Sequence, residues 1–222
     1  MKRINKIQPP KTFVEFCNKP HAIYDGSDFP KEELRQSLLS EQGRICCYCM
    51  KRIPENTYPY MKVEHFKCQD NYGELQLHYP NLFGACIGNE GKPKKLQTCD
   101  TKKGNSDLTI SLTSNAPNCE TLFKYNAEGE ISSINDDNDI NRQLNDILNL
   151  NMQTLKDERR EVYLEVQKNV EAESRQFANR QLKLSYFQQE KEKWLTRNDN
   201  KFRPYCMVAV YYLNKKIRQY QN

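Results

Sequence analysis

An acid and an imidazole stand side by side in "VEHF", as Glu64 and His65, between two groups of cysteines. Upstream lies "RICCYCMKRI", residues 44 to 53, in which Cys46 and Cys49 form a C-x-x-C pair. Downstream, "NLFGACIGNEGKPKKLQTCDTKKGN" carries Cys86 and Cys99, with Asp100 directly after the second. A C-x-x-C pair on a turn brings two thiolates within reach of one tetrahedral zinc. A redox pair would need to open a helix after a buried strand, whereas here the flanks are charged and "KRIPENTYPY" follows, so the spacing favours metal. Two further ligands are needed. His65 with Cys68 would complete a purely structural finger and leave Cys86 and Cys99 without a role. Cys86 with Cys99 would instead leave His65 free beside Glu64, with Asn81 and Asp100 at the same locus. Phosphodiester hydrolysis needs that second arrangement: a base to activate water, oxygen ligands for a hard cation, and a group that orients the base. Glu64 and Asp100 are oxygen donors suited to Mg²⁺ or Mn²⁺, which prefer carboxylates to thiolates.

The rest of the 222-residue chain must position these groups. Its length suffices for a buried core without disulfides. Nine cysteines is an odd count. With no signal-like N-terminus and no apolar run of roughly 20 residues, this points to a reducing cytosol and excludes a membrane span. The net charge of +5 leans only slightly towards a polyanionic partner. Its distribution says more: Lys92, Lys94, Lys95, Lys102 and Lys103 cluster around Cys99, where a phosphate-binding surface would need them. "GNEGKPKK" lacks the first glycine and the Ser/Thr of a phosphate-binding loop, which excludes NTPase activity for this chain.

Three textures run along the sequence. Residues 1–43 hold a proline-marked extended start and a short amphipathic helix in "FPKEELRQSLLSEQG", with Leu34, Leu38 and Leu39 on one face and Gly43 as its stop. Residues 44–135 read as a small, loop-rich module with short strands. Residues 136–222 read as helical, Ile140, Leu144, Ile147, Leu148, Leu155, Val162, Val166 and Val170 recurring near helical spacing. "YCMVAVYYLNKKIRQY" closes the chain as a buried helix. Cys17, Cys47, Cys68, Cys119 and Cys206 are most simply small buried apolar groups, and His78 a structural or substrate-facing residue.

"VEHF", "YPNL" and "CDTKKGN", flanked by the cysteines, resemble the HNH (ββα-metal) endonuclease motif. Together with "ELRQSLLSEQGRICCYCMKRI", "FKYNAEGEI" and "ILNLNMQTLKDERR" they resemble more specifically the PtuB-like HNH proteins of retron and Septu antiphage systems, over residues 33 to 160. The resemblance implies an α+β fold: a zinc-stapled ββα-metal module with a long C-terminal helical elaboration. It implies His65 as general base, Asn81 as the residue orienting it, Lys103 near the scissile phosphate, and Glu64 and Asp100 as ligands of a catalytic Mg²⁺ or Mn²⁺. Cys46, Cys49, Cys86 and Cys99 would hold structural Zn²⁺. The substrate would be nucleic acid, DNA first and RNA second, and the partners a PtuA-like ATPase and, in retrons, a reverse transcriptase with its noncoding RNA. Two departures stand out: 12 residues separate Cys86 from Cys99 where the family has a tight knuckle, and Asp100 replaces asparagine. The rival readings are a non-catalytic zinc module that binds nucleic acid or protein, and a thiol oxidoreductase using Cys46 and Cys49.

Overall fold

The computed structural model describes residues 1–221. They form seven α-helices and two small antiparallel sheets. α1 (Lys11–Cys17) and α2 (Lys31–Glu41) come first, followed by the pair β1 (Lys62–His65) and β2 (Leu82–Ala85) and the short α3 (Cys99–Lys103). A second hairpin, β3 (Phe123–Tyr125) and β4 (Ile131–Ser133), leads into α4 (Asn138–Arg142), α5 (Gln153–Ser174), α6 (Arg180–Leu195) and α7 (Cys206–Gln221). No described helix is long and apolar enough to cross a membrane.

α2 follows the sequence pattern. Pro30 precedes it, Glu32 and Glu33 face the positive end of its dipole, and Leu34, Leu38 and Leu39 are fully buried. It stops at a left-handed Gly43, φ 61°. The helical tail departs from an unbroken pattern in two places. A π-turn over Gln143–Ile147 and a left-handed Asn149 end the first stretch before α5 starts, and a second break separates α5 from α6. The buried stripe of α5 is Leu155, Arg159, Tyr163, Val166 and Val170; Val162 is half-buried, because the stripe is centred one residue further on. α7 is the most buried helix, and it packs against α5, α6 and β3.

Residues from the N-terminal segment, both hairpins and all three long helices share one contiguous core. Buried Arg159 ties its parts together, donating to the carbonyls of Gly129 in the second hairpin (2.6 Å) and Leu150 (2.8 Å).

β1 and β2 pair in the register Lys62↔Ala85, Val63↔Gly84, Glu64↔Phe83 and His65↔Leu82. One strand of the pair would be an exposed edge, and Gln42 closes it. Its side-chain amide donates to the Gly84 carbonyl (2.7 Å) and the Ile45 carbonyl (3.0 Å) and accepts from the Gly84 N–H (2.7 Å), all buried. Cys47 N–H adds a bond to the same Gly84 carbonyl at 3.1 Å. Thus the end of α2 and the first cysteine pair are fixed to the sheet through one amide. Gln42→Ala leaves the Gly84 N–H and the Ile45 carbonyl buried without this partner, while the Gly84 carbonyl keeps the Cys47 N–H, so it should lower stability by about 2–4 kcal/mol, as read by denaturant unfolding at fixed zinc.

Candidate active site and thiol cluster

The segment after α2 turns back on itself through an Ile45↔Arg52 bridge, with Met50 in a left-handed conformation (φ 66°) at the tip. That turn presents Cys46 and Cys49 on one side, and the Lys51 N–H donates to the Cys49 sulfur at 3.4 Å. Cys86 follows β2 directly, and Cys99 opens α3. The sulfurs of Cys46, Cys49, Cys86 and Cys99 all lie within 4.8 Å of one another, Cys49 to Cys86 at 3.8 Å and Cys86 to Cys99 at 3.7 Å. A tetrahedral zinc with Zn–S bonds of about 2.3 Å sets its sulfurs about 3.8 Å apart, so the donor set fits that ion. One thiol of the cluster is favoured as the thiolate. At Cys46 burial opposes ionisation, but hydrogen bonds from Cys47, Cys49, Cys86 and Cys99 outweigh it and hold this thiol well below its usual range. Cys49 and Cys99 are pushed up, chiefly by hydrogen bonding to the Cys46 sulfur. His65 and Cys68 are not part of this cluster; the Cys68 thiol donates to the Asn105 carbonyl at 3.7 Å.

The long spacing between Cys86 and Cys99 is a closed loop. Thr98 N–H donates to the Gly88 carbonyl at 2.9 Å, so the chain leaves and returns at one point. Gly88 is left-handed (φ 54°), and a Cβ there would sit 2.1 Å from the Thr98 carbonyl oxygen. Inside the loop Asn89 Nδ2 bonds the Leu96 carbonyl and Gln97 Nε2 the Lys92 carbonyl, each at 2.8 Å. From outside, Asn149 Nδ2 bonds the Gln97 carbonyl at 2.8 Å, and the Cys99 N–H donates to the Leu148 carbonyl at 2.9 Å. The break before α5 therefore anchors the start of α3.

α3 carries Asp100 one residue beyond the last thiol. Alternation along β1 sends Lys62 and Glu64 to the same face, towards α3. There the carboxyls of Glu64 and Asp100 lie near enough to shift each other's ionisation. Glu64 is fully buried, accepts from the Tyr48 hydroxyl at 2.6 Å, and pairs with the buried Lys103 ammonium at 3.0 Å. Lys62 pairs with Asp100 at 3.1 Å. Burial first, then the Asp100 carboxylate, drive the Glu64 carboxyl well above its ordinary range. Asp100 goes the other way: burial would raise it, but the Glu64 hydrogen bond, Lys62 and Lys103 together lower it. Two carboxyls this near, one buried and one half-buried, favour sharing one proton, and as oxygen donors they could hold a divalent cation in its stead. This pair fits a hard ion.

His65, at the end of β1, points away from that face. Its Nε2 lies 3.1 Å from the Gln76 carbonyl. A carbonyl only accepts, so Nε2 carries the hydrogen and Nδ1 keeps a lone pair. Burial pushes its pKa below the ordinary imidazole value, which keeps the ring neutral near pH 7. The Tyr24 ring stands edge-on to it at 4.5 Å.

The remaining site residues take other places than their simplest reading suggests. Asn81 makes no hydrogen bond to the imidazole. Its Oδ1 accepts from Lys67 N–H at 2.8 Å, and its Nδ2 donates to the carbonyls of Lys67 (3.0 Å) and Leu75 (3.2 Å). It thus clamps the loop whose next carbonyl, that of Gln76, holds the ring. Lys103 faces inwards, its ammonium on Glu64 and on the carbonyls of His65 and Gly104, both at 3.3 Å. His78 is exposed. Tyr48, Lys62, Gln76 and Tyr24 escape motif reading. Lys62 was accessible from strand alternation, two residues before Glu64, but the Gln76 contact is made by backbone and leaves no side-chain signature.

Comparison with known proteins agrees with the motif reading. No protein-family model matches the chain. The inferred HNH endonuclease of retron Vc95 from Vibrio cholerae is 31% identical over 129 residues, 55% of this chain and 59% of that protein. Septu protein PtuB of Bacillus thuringiensis is 30% identical over 54% of this chain and 42% of its own length. The inferred HNH endonuclease of retron Ec83 from Escherichia coli is 28% identical over 47% of this chain and 46% of its own. The matched region spans about half the length of each relative.

The thiol cluster makes a direct prediction. Purified protein should carry one tightly held zinc per chain, lost together with fold in Cys46→Ser, Cys49→Ser, Cys86→Ser or Cys99→Ser, since structural zinc and folding are coupled. Cys68→Ser should keep its zinc. Metal analysis beside circular dichroism checks both; zinc release by Cys68→Ser but not Cys86→Ser would reassign the ligands.

Proposed function

We propose that this chain, a relative of the retron and Septu HNH proteins, is a metal-dependent HNH endonuclease that hydrolyses phosphodiester bonds of nucleic acid in antiphage defence. One observation carries the reading. A neutral imidazole with a free Nδ1 ends the same strand whose penultimate residue, buried Glu64, stands beside half-buried Asp100 as a carboxyl pair. In this reading β1, β2 and α3 are the ββα-metal unit. The four thiols staple it with zinc, and 44–135 is the nuclease module between an N-terminal segment, 1–43, and a helical region, 136–222.

Mg²⁺ or Mn²⁺ held by Glu64 and Asp100 would supply Lewis-acid stabilisation of charge on the phosphate and leaving oxygen. The chain's own residues do the rest. His65 Nδ1 takes a proton from the attacking water as the new P–O bond forms and the bond to the leaving oxygen breaks. The Gln76 carbonyl fixes the tautomer, and Asn81 fixes Gln76 through its clamp on Lys67 and Leu75. Lys103 balances Glu64 from within rather than touching the phosphate, and Tyr48 holds the same carboxyl from the other side.

The relatives support a shared working context: a partner ATPase of the PtuA kind and, in a retron setting, a reverse transcriptase with its noncoding RNA. Residues 136–222 offer most of the surface left for such a partner. The rival, a zinc module that only binds, would need no carboxyl pair and no oriented imidazole.

Plasmid DNA and total RNA, incubated with the full chain in Mg²⁺ or Mn²⁺, with and without the product of the neighbouring gene, test the proposal. His65→Ala should lower cleavage by about 10²–10⁴-fold with zinc and fold intact. Glu64→Gln and Asp100→Asn should be partly recovered by high Mn²⁺, and Asn81→Ala should fall between. Cleavage by folded His65→Ala at the wild-type rate would replace the nuclease reading with the binding module.

A further inference from the structure

Beside the thiol cluster, with Cys86 in its lining, runs a groove of about 620 Å³. It is lined by Pro59 and Tyr60 before β1, Ile87 and Asn89 after β2, and Met152 and Leu155 around the start of α5. We propose that this groove binds a single-stranded stretch of nucleic acid, namely the part of the substrate strand that flanks the scissile bond. The proposal rests on the nuclease reading and adds to it where, and in what form, the strand is held.

Three features select that occupant. First, the groove offers an exposed aromatic ring: Tyr60, in its lining, is 43% exposed, and Tyr58, two residues away outside the lining, is 64% exposed. Rings like these stack on unpaired bases, whereas the faces of duplex bases are already covered. Second, the loop that forms one wall carries positive charge without internal compensation. Lys92, Lys94 and Lys95 are exposed and make no ion pair among the described residues, while the loop's one acid, Glu90, is paired with Lys62 at 3.1 Å. The loop is held from both sides by the Asn89, Gln97 and Asn149 amides, so the ammonium groups are presented on a fixed frame rather than a floppy tether. An apolar trough beside a basic ridge matches a strand with bases on one side and phosphates on the other; a protein partner would not need the three lysines. Third, the basic ridge is tied to the carboxyl pair through one side chain. Lys62 touches both Glu90 of the ridge and Asp100 of the carboxyl pair. From Lys62 to His65 is three residues of strand, about 10 Å. Lys62 shares its face of β1 with Glu64, so a strand whose phosphate reaches the carboxyl pair would have Lys62 and the ridge beside it.

The test uses the full zinc-loaded chain without added divalent ion, so that binding is read apart from cleavage. Fluorescence anisotropy with short mixed-sequence oligonucleotides of DNA and of RNA, single-stranded and duplex, gives the affinities. Tyr60→Ala should weaken single-strand binding roughly ten-fold, from the lost stacking, with little effect on duplex binding, and Tyr60→Phe should retain it. Replacing Lys92, Lys94 and Lys95 together by Gln should reduce the slope of log affinity against log salt by about 2, at about 0.7 per phosphate contact on a single strand. The DNA and RNA arms report which strand the groove prefers. Wild-type affinity in Tyr60→Ala, or equal losses in Tyr60→Ala and Tyr60→Phe, overturns the proposal. So does loss of co-purification with the partner ATPase while oligonucleotide affinity is untouched, which would make the groove a protein-docking site. The two readings fail separately: a chain that cleaves normally while Tyr60→Ala is silent refutes the groove alone. One that binds strands through Tyr60 and cleaves none refutes the nuclease alone.

Discussion

Four thiols from three separate stretches of chain converge within 4.8 Å, and the geometry of the candidate site depends on that junction. Cys99 is both the last thiol and the first residue of α3, so whatever gathers the sulfurs also sets the height and direction of Asp100. The sheet is only two short strands, and α3 is only five residues long. Neither could hold the carboxyl pair in place by its own packing. Elements this small need a staple, and four converging thiols are a donor set that a structural metal would fit.

Around that junction the fold supplies a second layer of fixation, built mostly from side-chain amides that satisfy backbone groups. Gln42 locks β2 to the end of α2, Asn81 clamps the loop between the strands, and Asn149 secures the long connection between Cys86 and Cys99. Each makes two or more hydrogen bonds to segments distant in sequence. Loops anchored in this way can be long without loosening the site, since loop length itself adds little entropy. The departure at Cys86 to Cys99 is thus an appended loop, and its lysines face outward.

Much of this was legible in the sequence because the informative residues are chemically unusual. Cysteine spacing, the Glu64-His65 pair and Asp100 after Cys99 identify the site, and leucine periodicity finds α2. The choice between Cys86 with Cys99 and His65 with Cys68 needed three dimensions, because both pairs have acceptable spacing. The break before α5 was hidden because nothing in "ILNLNMQ" is a proline or glycine; Asn149 adopts the left-handed backbone, and its amide and the neighbouring Leu148 carbonyl are used by α3 and its loop. Asn81 and Lys103 lie in the neighbourhood of His65 and Glu64, but their partners, a loop backbone and a buried carboxylate, depend on side-chain direction that spacing does not encode.

The central claim is that the thiol cluster and the carboxyl pair are two separate metal sites, one holding α3 in place and the other using it. Mn²⁺ binding to zinc-loaded protein, followed by electron paramagnetic resonance, tests this most directly. The account predicts one Mn²⁺ site per chain that Asp100→Asn or Glu64→Gln weakens strongly while the zinc content stays at one. Mn²⁺ binding unchanged in both variants, or a carboxyl substitution that releases zinc instead, would contradict it.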